Sequence, residues 1–165
     1  NNIILDFNYT ASTRLILKQC GLSDEDIDNR LIKVHGEASN NDIIFGVEDN
    51  AGIKKEHVFL RKAYNIKYKA LNFSELYDRI KSVAIFGHSL GETDHTYFNK
   101  LFQESCMYNK FSTNNNKEFW LFYYKENGYH CMMQQLDSLT HNSLTSFRQY
   151  NRVNFINTDK EKVFI

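Results

Sequence analysis

The sequence predicts an α/β fold: a Rossmann-like, three-layer domain with a mainly parallel sheet that spans residues 1–165. Short apolar runs alternate with amphipathic segments, a pattern typical of parallel strands joined by helices. Apolar residues make up 42% of the chain and aromatic residues 15%, which is enough for a packed core. Because no repeat or linker interrupts this pattern, we expect a single domain. The first strand begins almost at residue 1 without an initiator Met, so we expect the C-terminal portion of a longer protein.

The first elements are a strand and a helix. The apolar run at residues 2–7 predicts a strand, and the helix that follows runs to Cys20. Thr10 or Ser12 is the expected N-cap of this helix, since short polar side chains accept hydrogen bonds from the first free N–H groups. Gly21 is its expected C-terminal stop.

A short acidic segment and three further elements follow. Ser23-Asp24-Glu25-Asp26 resembles the start of a short helix, because acids suit a positive helix N-terminus, although a solvated acidic turn fits the same residues. Leu31-Ile32-Lys33-Val34 and Ile43-Ile44-Phe45 predict two short strands. Residues 58–64 are expected to be helical.

The middle of the chain predicts a helix, a strand and a second helix. Ser74 is the expected cap of the first, which carries Leu76 and Ile80. The apolar run at 82–86 predicts the strand. The second helix, at about 93–107, has the clearest periodicity in the chain, with spacings i, i+3, i+4 and i+7. The residues on that face are Phe98, Leu101, Phe102 and Ser105.

The last third of the chain predicts three strands and a helix. After a turn at 112–117, the mostly apolar run at 118–124 predicts a strand covered on both faces. A helix is expected near 129–141. Strands are expected at 153–156 and 163–165, joined by a polar turn.

Composition narrows the function classes. Twenty Lys and Arg residues balance twenty Asp and Glu residues, so no global field attracts nucleic acid or an anionic membrane. No apolar run approaches the ~20 residues of a membrane span, and no signal peptide opens the chain. Three dispersed cysteines, Cys20, Cys106 and Cys131, predict neither a zinc site nor a disulfide framework and suit a cytoplasmic protein.

The run Gly87-His88-Ser89-Leu90-Gly91 matches the G-x-S-x-G nucleophile elbow, in which Ser89 would attack an ester. That interpretation needs an acid and then a histidine from later loops. Thr93 has the character of an N-cap, which would begin the helix several residues too late for an elbow. The candidate partners are ill-placed in the sequence: Asp137 or Asp159 for the acid, and His130 or His141 for the base.

The same run predicts no metal site. His88, Asp94 and His95 follow no established ligand spacing. Asp94 is instead expected at the positive end of the following helix, where a carboxylate is stabilising. We therefore expect no metal cofactor.

Polar residues and glycines follow four of the predicted strands. In an open parallel sheet, ligands bind beyond the carboxyl ends of the strands. Asn8, His35, Gly46 and Ser89 occupy such positions and could line one crevice. An amide can bind a ribose or a water, and a histidine can act as a general base near neutral pH. Each residue also has a purely structural interpretation: Asn8 as a helix cap, His35 as a turn residue and Ser89 as a partner for backbone amides.

Four motifs in this order resemble those of the AbiH family of bacterial phage abortive-infection proteins. They are Phe7-Asn8-Tyr9-Thr10, Val34-His35-Gly36, Ile44-Phe45-Gly46-Val47-Glu48-Asp49 and Phe86-Gly87-His88-Ser89-Leu90-Gly91-Glu92-Thr93-Asp94. They cover roughly residues 3–102, and the resemblance is weak beyond them. The resemblance implies a role in phage defence, with a phage-derived trigger as partner and with oligomerisation left open.

The same series is more distantly similar to the NAD site of sirtuins. By this similarity Asn8 orients the nicotinamide ribose or a water, His35 is the general base, and the reaction is cleavage of NAD or a related nucleotide. The other expected nucleotide contacts are Tyr9, Thr10, Gly36, Gly46, Glu48, Gly87, Ser89 and Asp94. The sirtuin acid two residues after the Asn is Thr10 here. The upstream Gly-rich loop is absent, which fits either a fragment or a family that binds another nucleotide or none. The paired zinc cysteines are also absent, which excludes deacetylation. A non-catalytic module that senses a nucleotide or a phage component is the alternative.

Overall fold

The computed structural model describes residues 2–47, 51–65, 79–107 and 116–160. The chain forms two compact units, Asn1–Ala70 and Leu71–Ile165. Each unit contains parallel strands and helices, which confirms the predicted α/β class. The three-layer Rossmann-like arrangement and the single domain stay predictions. Several expected features lie outside the described residues: Glu48, Ser74, Leu76, residues 112–115 and the strand at 163–165.

The first unit is built on two short parallel strands. Strand β1 (Ile4–Asp6) pairs with β2 (Leu31–Lys33), and the register places Asp6 opposite Lys33. Helices α1 (Ser12–Gln19) and α2 (Asp24–Asp28) form the connection between them. A parallel pair requires such a crossover, because the chain must return to the same end of the sheet. The two predicted strands are confirmed, each shortened to three residues.

The two helices of this unit begin differently. Ala11 is the N-cap of α1 and makes no side-chain cap, while the hydroxyls of Thr10 and Ser12 lie 2.9 Å apart and bond each other. The expected cap by Thr10 or Ser12 is therefore wrong. At α2, the Ser23 hydroxyl accepts from the backbone N–H of Asp26 at 3.1 Å, so the acidic segment is a capped helix and not a solvated turn.

The strand expected at 43–45 is absent, because these residues form no ladder with a described strand. Ile44 is buried and donates its N–H to the His35 carbonyl, whereas Phe45 is 69% exposed. Gly46 follows with φ +151°, which ends any extended segment. The apolar run at 43–45 therefore reflects one buried side chain, that of Ile44, and not a half-buried strand. An isolated parallel bridge joins Val47 to Arg61 nearby.

The helical segment expected at 58–64 is 3₁₀ helix and is interrupted at Arg61. Two 3₁₀ segments, Lys55–Leu60 and Lys62–Tyr64, take its place, with Arg61 extended between them at φ −71° and ψ 136°. The bridge to Val47 accounts for the interruption: the N–H of Lys62 donates to the Val47 carbonyl at 2.9 Å, which a continuous α-helix would not permit.

The second unit contains a three-stranded parallel sheet. Its strands are β3 (Ser82–Ile85), β4 (Glu118–Tyr123) and β5 (Arg152–Asn157), in the order β3-β4-β5. All three were predicted. Helix α3 (His95–Ser105) connects β3 to β4 and follows a 3₁₀ turn, Glu92–Asp94. Helices α4 (Lys125–Leu139) and α5 (Leu144–Tyr150) connect β4 to β5. Helix α5 was not expected.

An aromatic core fixes α3 and α5 against this sheet. Phe102, Phe119 and Phe147 are fully buried, with ring centroids 4.8 to 5.6 Å apart. Burying one such side chain contributes about 1.5–3 kcal/mol. The predicted apolar face of α3 is confirmed: Phe98, Leu101, Phe102 and Ser105 are all buried. In the part of the chain that the structure describes, no helix is long and apolar enough to cross a membrane.

Candidate functional site

The carboxyl ends of β1 and β2 bring two of the predicted site residues to one edge. Asn8 lies two residues beyond the end of β1, and His35 lies two residues beyond the end of β2. Because these strands are parallel neighbours in register, both residues leave the same end of the sheet. The Asn8 side chain is exposed, whereas His35 is only 5% exposed.

Lys33 organises the turn after β1. Its ammonium donates to Asp6 Oδ2 at 2.8 Å, to the Asn8 carbonyl at 2.5 Å and to the Thr10 carbonyl at 2.7 Å. An ammonium has three N–H donors, and this accounts for all of them. The Glu37 carboxylate lies 3.9 Å from the same nitrogen and adds a second negative charge. The turn and the β2 strand are therefore joined through one side chain.

The Asp6 carboxylate also binds the turn that follows β1. Its Oδ1 accepts the backbone N–H of Asn8 at 2.9 Å, and its side chain is almost fully buried. Burial raises the pKa of Asp6, but hydrogen bonds from Lys33, Asn8 and Thr13, together with the positive charge of Lys33, outweigh burial and lower it below its ordinary value. Asp6 is therefore ionised at neutral pH.

Aromatic rings enclose His35. The Tyr9 ring stacks on the imidazole with centroids 5.9 Å apart, and the Phe7 ring meets it edge-on at 5.5 Å. Phe45 lies 5.4 Å from the Tyr9 ring and is 69% exposed, while Tyr9 is 37% exposed. The buried imidazole thus lies under an aromatic surface that is open to solvent.

Two predicted contact glycines are explained by the chain's own backbone. A Cβ on Gly36, at φ +73°, would lie 2.1 Å from the Asp42 carbonyl oxygen. A Cβ on Gly46 would lie 2.4 Å from the Leu60 carbonyl oxygen. At both positions a side chain would collide with another segment, so the fold alone requires glycine.

Four charged residues of this edge were not predicted from the sequence: Asp6, Lys33, Glu37 and Asp42. The carboxylate of Asp42 accepts the backbone N–H of Glu37 at 2.6 Å, and the Ser39 hydroxyl donates to the Glu37 carboxylate. The sequence does contain a signal, because a charged residue ends each strand. That these two residues lie opposite each other follows only from the register of the strands.

The Gly87–Asp94 run forms an ordered loop after β3. The His88 Nδ1 accepts the backbone N–H of Leu90 at 2.9 Å, so a neutral His88 carries its proton on Nε2. That nitrogen lies 3.3 Å from Asp94 Oδ2. Leu90 is fully buried and has a left-handed backbone at φ +55°. The loop is held by the imidazole of His88 and by the burial of Leu90.

His95 attaches the same loop to α4. Its Nε2 lies 3.0 Å from the Leu90 carbonyl and 2.9 Å from Gln135 Oε1. Helix α3 begins at His95, which confirms that the helix starts late. Its N-cap residue is Asp94, whose side chain makes no capping hydrogen bond, so the expected cap by Thr93 is wrong.

Ser89 is not assembled as a nucleophile. Its side chain is exposed, and among the described residues no histidine forms a hydrogen bond with its hydroxyl. His130 lies beside Glu126 at 3.8 Å, and His141 accepts from Gln103 at 3.0 Å. An esterase requires a base on the serine hydroxyl, and this arrangement does not supply one.

The predicted site residues fall into two sets. Asn8, Tyr9, Thr10, His35 and Gly36 gather at the β1–β2 edge of the first unit, whereas Gly46 lies against Leu60 in that unit. Gly87, Ser89 and Asp94 belong to the loop of the second unit. Glu48 lies outside the described residues. Within the described ranges, no group of three His, Cys, Asp or Glu side chains could hold a metal ion.

Comparison with known proteins gave one match. A family model described as "Bacteriophage abortive infection AbiH" matches residues 1–115, which include both the β1–β2 edge and the Gly87–Asp94 loop. Comparisons with curated proteins and with solved structures gave no significant match.

Proposed function

This chain belongs to the AbiH family of bacteriophage abortive-infection proteins, and we propose that it acts in phage defence by cleaving NAD or a related nucleotide at the β1–β2 edge. The observation that supports the proposal is the convergence of Asn8 and His35 at the carboxyl end of one parallel strand pair. This is where open α/β sheets bind their ligands. Loss of the nucleotide would arrest an infected cell before phage are released.

The proposed reaction is hydrolysis of the bond between nicotinamide and ribose. The bond breaks with its electron pair passing to nicotinamide, and a water oxygen bonds to the ribose C1′. His35 accepts the proton that this water releases, and the Asn8 amide orients the water or the ribose hydroxyls. The products are nicotinamide, ADP-ribose and one proton. Tyr9 and Thr10 would contact the nucleotide from the same turn.

Paired substitutions test this proposal in infected cells. We expect His35→Ala and Asn8→Ala to abolish both phage defence and NAD loss, because each removes a group from the reacting atoms. His57→Ala is the matched control, since His57 is an exposed histidine of the same unit. NAD and ADP-ribose are measured by mass spectrometry through the infection. If wild-type cells are protected while NAD and related nucleotides stay constant, the catalytic proposal is wrong.

The burial of His35 favours a second candidate, a non-catalytic sensing module. A general base must reach its water, and the imidazole is 5% exposed beneath Tyr9. In a sensing module, a nucleotide or a phage component would bind at the edge and killing would be carried out elsewhere. Tyr9→Ala separates the candidates when NAD is saturating: uncovering His35 should raise the turnover of an enzyme even though the lost contact weakens binding, whereas a sensor should only bind more weakly.

A further inference from the structure

We propose that Lys33 is the positioning residue of the β1–β2 edge: it holds the Asn8–Thr10 turn and so presents Asn8 and Tyr9 to the nucleotide. The inference deepens the proposed function and depends on it for the identity of the ligand. The role of Lys33 in the turn, by contrast, is open to direct measurement.

The register of β1 and β2 allows Lys33 to reach the turn. Lys33 lies opposite Asp6 in the parallel pair, and both residues are the last of their strands. At that position a long side chain on β2 can reach the turn that continues from β1. The contacts agree: one hydrogen bond goes to Asp6 and two go to backbone carbonyls of the turn, at Asn8 and Thr10.

The number of donors decides between positioning and ligand contact. A phosphate-binding lysine needs N–H groups that point at the ligand, but all three donors of Lys33 have acceptors within the protein. The side chain is 17% exposed. Lys33 therefore acts through the turn and does not touch the ligand.

The two carbonyls that it binds belong to the residues before and after Tyr9, so a single ammonium fixes the Asn8–Tyr9 and the Thr10–Ala11 peptide groups. The Asp6 carboxylate adds a third constraint through the Asn8 N–H, and the Tyr9 carbonyl accepts the N–H of Ala38 at 2.8 Å. The peptide groups of the turn thus have their partners at Asp6, at Lys33 and at Ala38. Without Lys33, two carbonyl oxygens would lose their donors, and the turn would have other conformations open to it.

If Lys33 and Asp6 formed only a stabilising ion pair, removing both charges would leave the geometry of the turn unchanged. Replacing both partners of a buried pair with neutral side chains is often neutral for stability, whereas removing one partner leaves an uncompensated charge. The double variant Asp6→Asn/Lys33→Met removes both charges and keeps an oxygen at residue 6 for the Asn8 N–H. It separates the stability of the unit from the geometry of the turn.

Three measurements on the full chain test the inference: the melting temperature, the backbone amide exchange of residues 8–10, and the affinity for NAD by titration. We expect the double variant to melt close to the wild type but to exchange the Asn8 amide about tenfold faster and to bind NAD about tenfold more weakly. Lys33→Arg should restore the melting temperature that Lys33→Met loses. It should not restore the affinity for NAD, because a planar guanidinium cannot match three convergent acceptors. Lys55→Met, at an exposed lysine of the same unit, is the control and should match the wild type.

Amide exchange of residues 8–10 that is unchanged in the double variant would overturn the inference. NAD affinity that is unchanged in a variant whose turn has loosened would also overturn it. If the wild type itself binds no NAD, the proposed function fails, whereas the exchange measurement still decides whether Lys33 holds the turn.

Discussion

Gly36 and Gly87 share a left-handed backbone but differ in the space around them. Their φ angles are +73° and +65°; a Cβ on Gly36 would lie 2.1 Å from the Asp42 carbonyl oxygen, whereas a Cβ on Gly87 would have nothing within 4 Å. We expect Gly87→Ala to cost about 1 kcal/mol of unfolding free energy, from backbone strain alone. Gly36→Ala should cost about 3 kcal/mol, because the collision adds to the strain. Urea unfolding measures both, and equal losses would contradict this account.

Asp6 links the stability of the first unit to pH. Burial raises the pKa of its carboxyl, but the contacts with Lys33, Asn8 and Thr13 lower it overall. Because the folded pKa lies below the unfolded one, ionised Asp6 stabilises the fold at neutral pH, and this contribution is lost as the pH falls through about 4 and below. The unfolding free energy of the wild type should therefore decline more steeply over that range than that of Asp6→Asn. Parallel declines in urea titrations would show that Asp6 makes no such contribution.

Residue chemistry predicted the candidate site only in part. Asn8 and His35 were predicted because each follows the carboxyl end of a predicted strand. Lys33 was missed because a lysine at a strand end is usually solvated, and its three acceptors become neighbours only through the parallel register. The partner of a charged side chain depends on the tertiary fold, which the spacing of residues along the chain does not report.

At the scale of elements, the two helix starts of the first unit make a matched pair. The Ser23 hydroxyl caps α2 by accepting the N–H of Asp26, whereas Ser12 bonds the Thr10 hydroxyl and caps nothing. Ser23→Ala should lower the unfolding free energy by about 1 kcal/mol, and Ser12→Ala should leave it nearly unchanged. Thermal unfolding of the two variants checks this. A larger loss in Ser12→Ala would mean that the Thr10–Ser12 pair stabilises the start of α1.

Helix α3 and strand β4 were predicted correctly from patterns that extend along the whole element. Helix α3 buries the face expected from its spacing, and β4 emerges from a continuous apolar run. The strand expected at 43–45 failed because a single side chain, Ile44, is buried and no neighbouring strand pairs with it. Helix α5 was missed because Phe147 is its only buried residue, and one buried position shows no period.

At the scale of the whole molecule, the two units have unequal cores. Among the described residues, the buried apolar side chains of the first unit are Ile27, Val34 and Ile44, whereas the second unit contains the aromatic cluster and most of the rest. Regions that bury less apolar surface open more readily. We therefore expect the amides of β1 and β2 to exchange with solvent faster than those of β4. Equal protection in hydrogen-exchange mass spectrometry would contradict this expectation.

The loop at Gly87–Asp94 has a consequence for how the protein tolerates mutation. Its serine is exposed, whereas the neighbouring leucine is fully buried and the imidazole of His88 accepts a backbone N–H. In a library selected only for folded protein, position 89 should accept many residue types, and positions 88 and 90 should accept few. Selection for folding can then maintain the residues on either side of the serine, without any selection for a nucleophile at position 89.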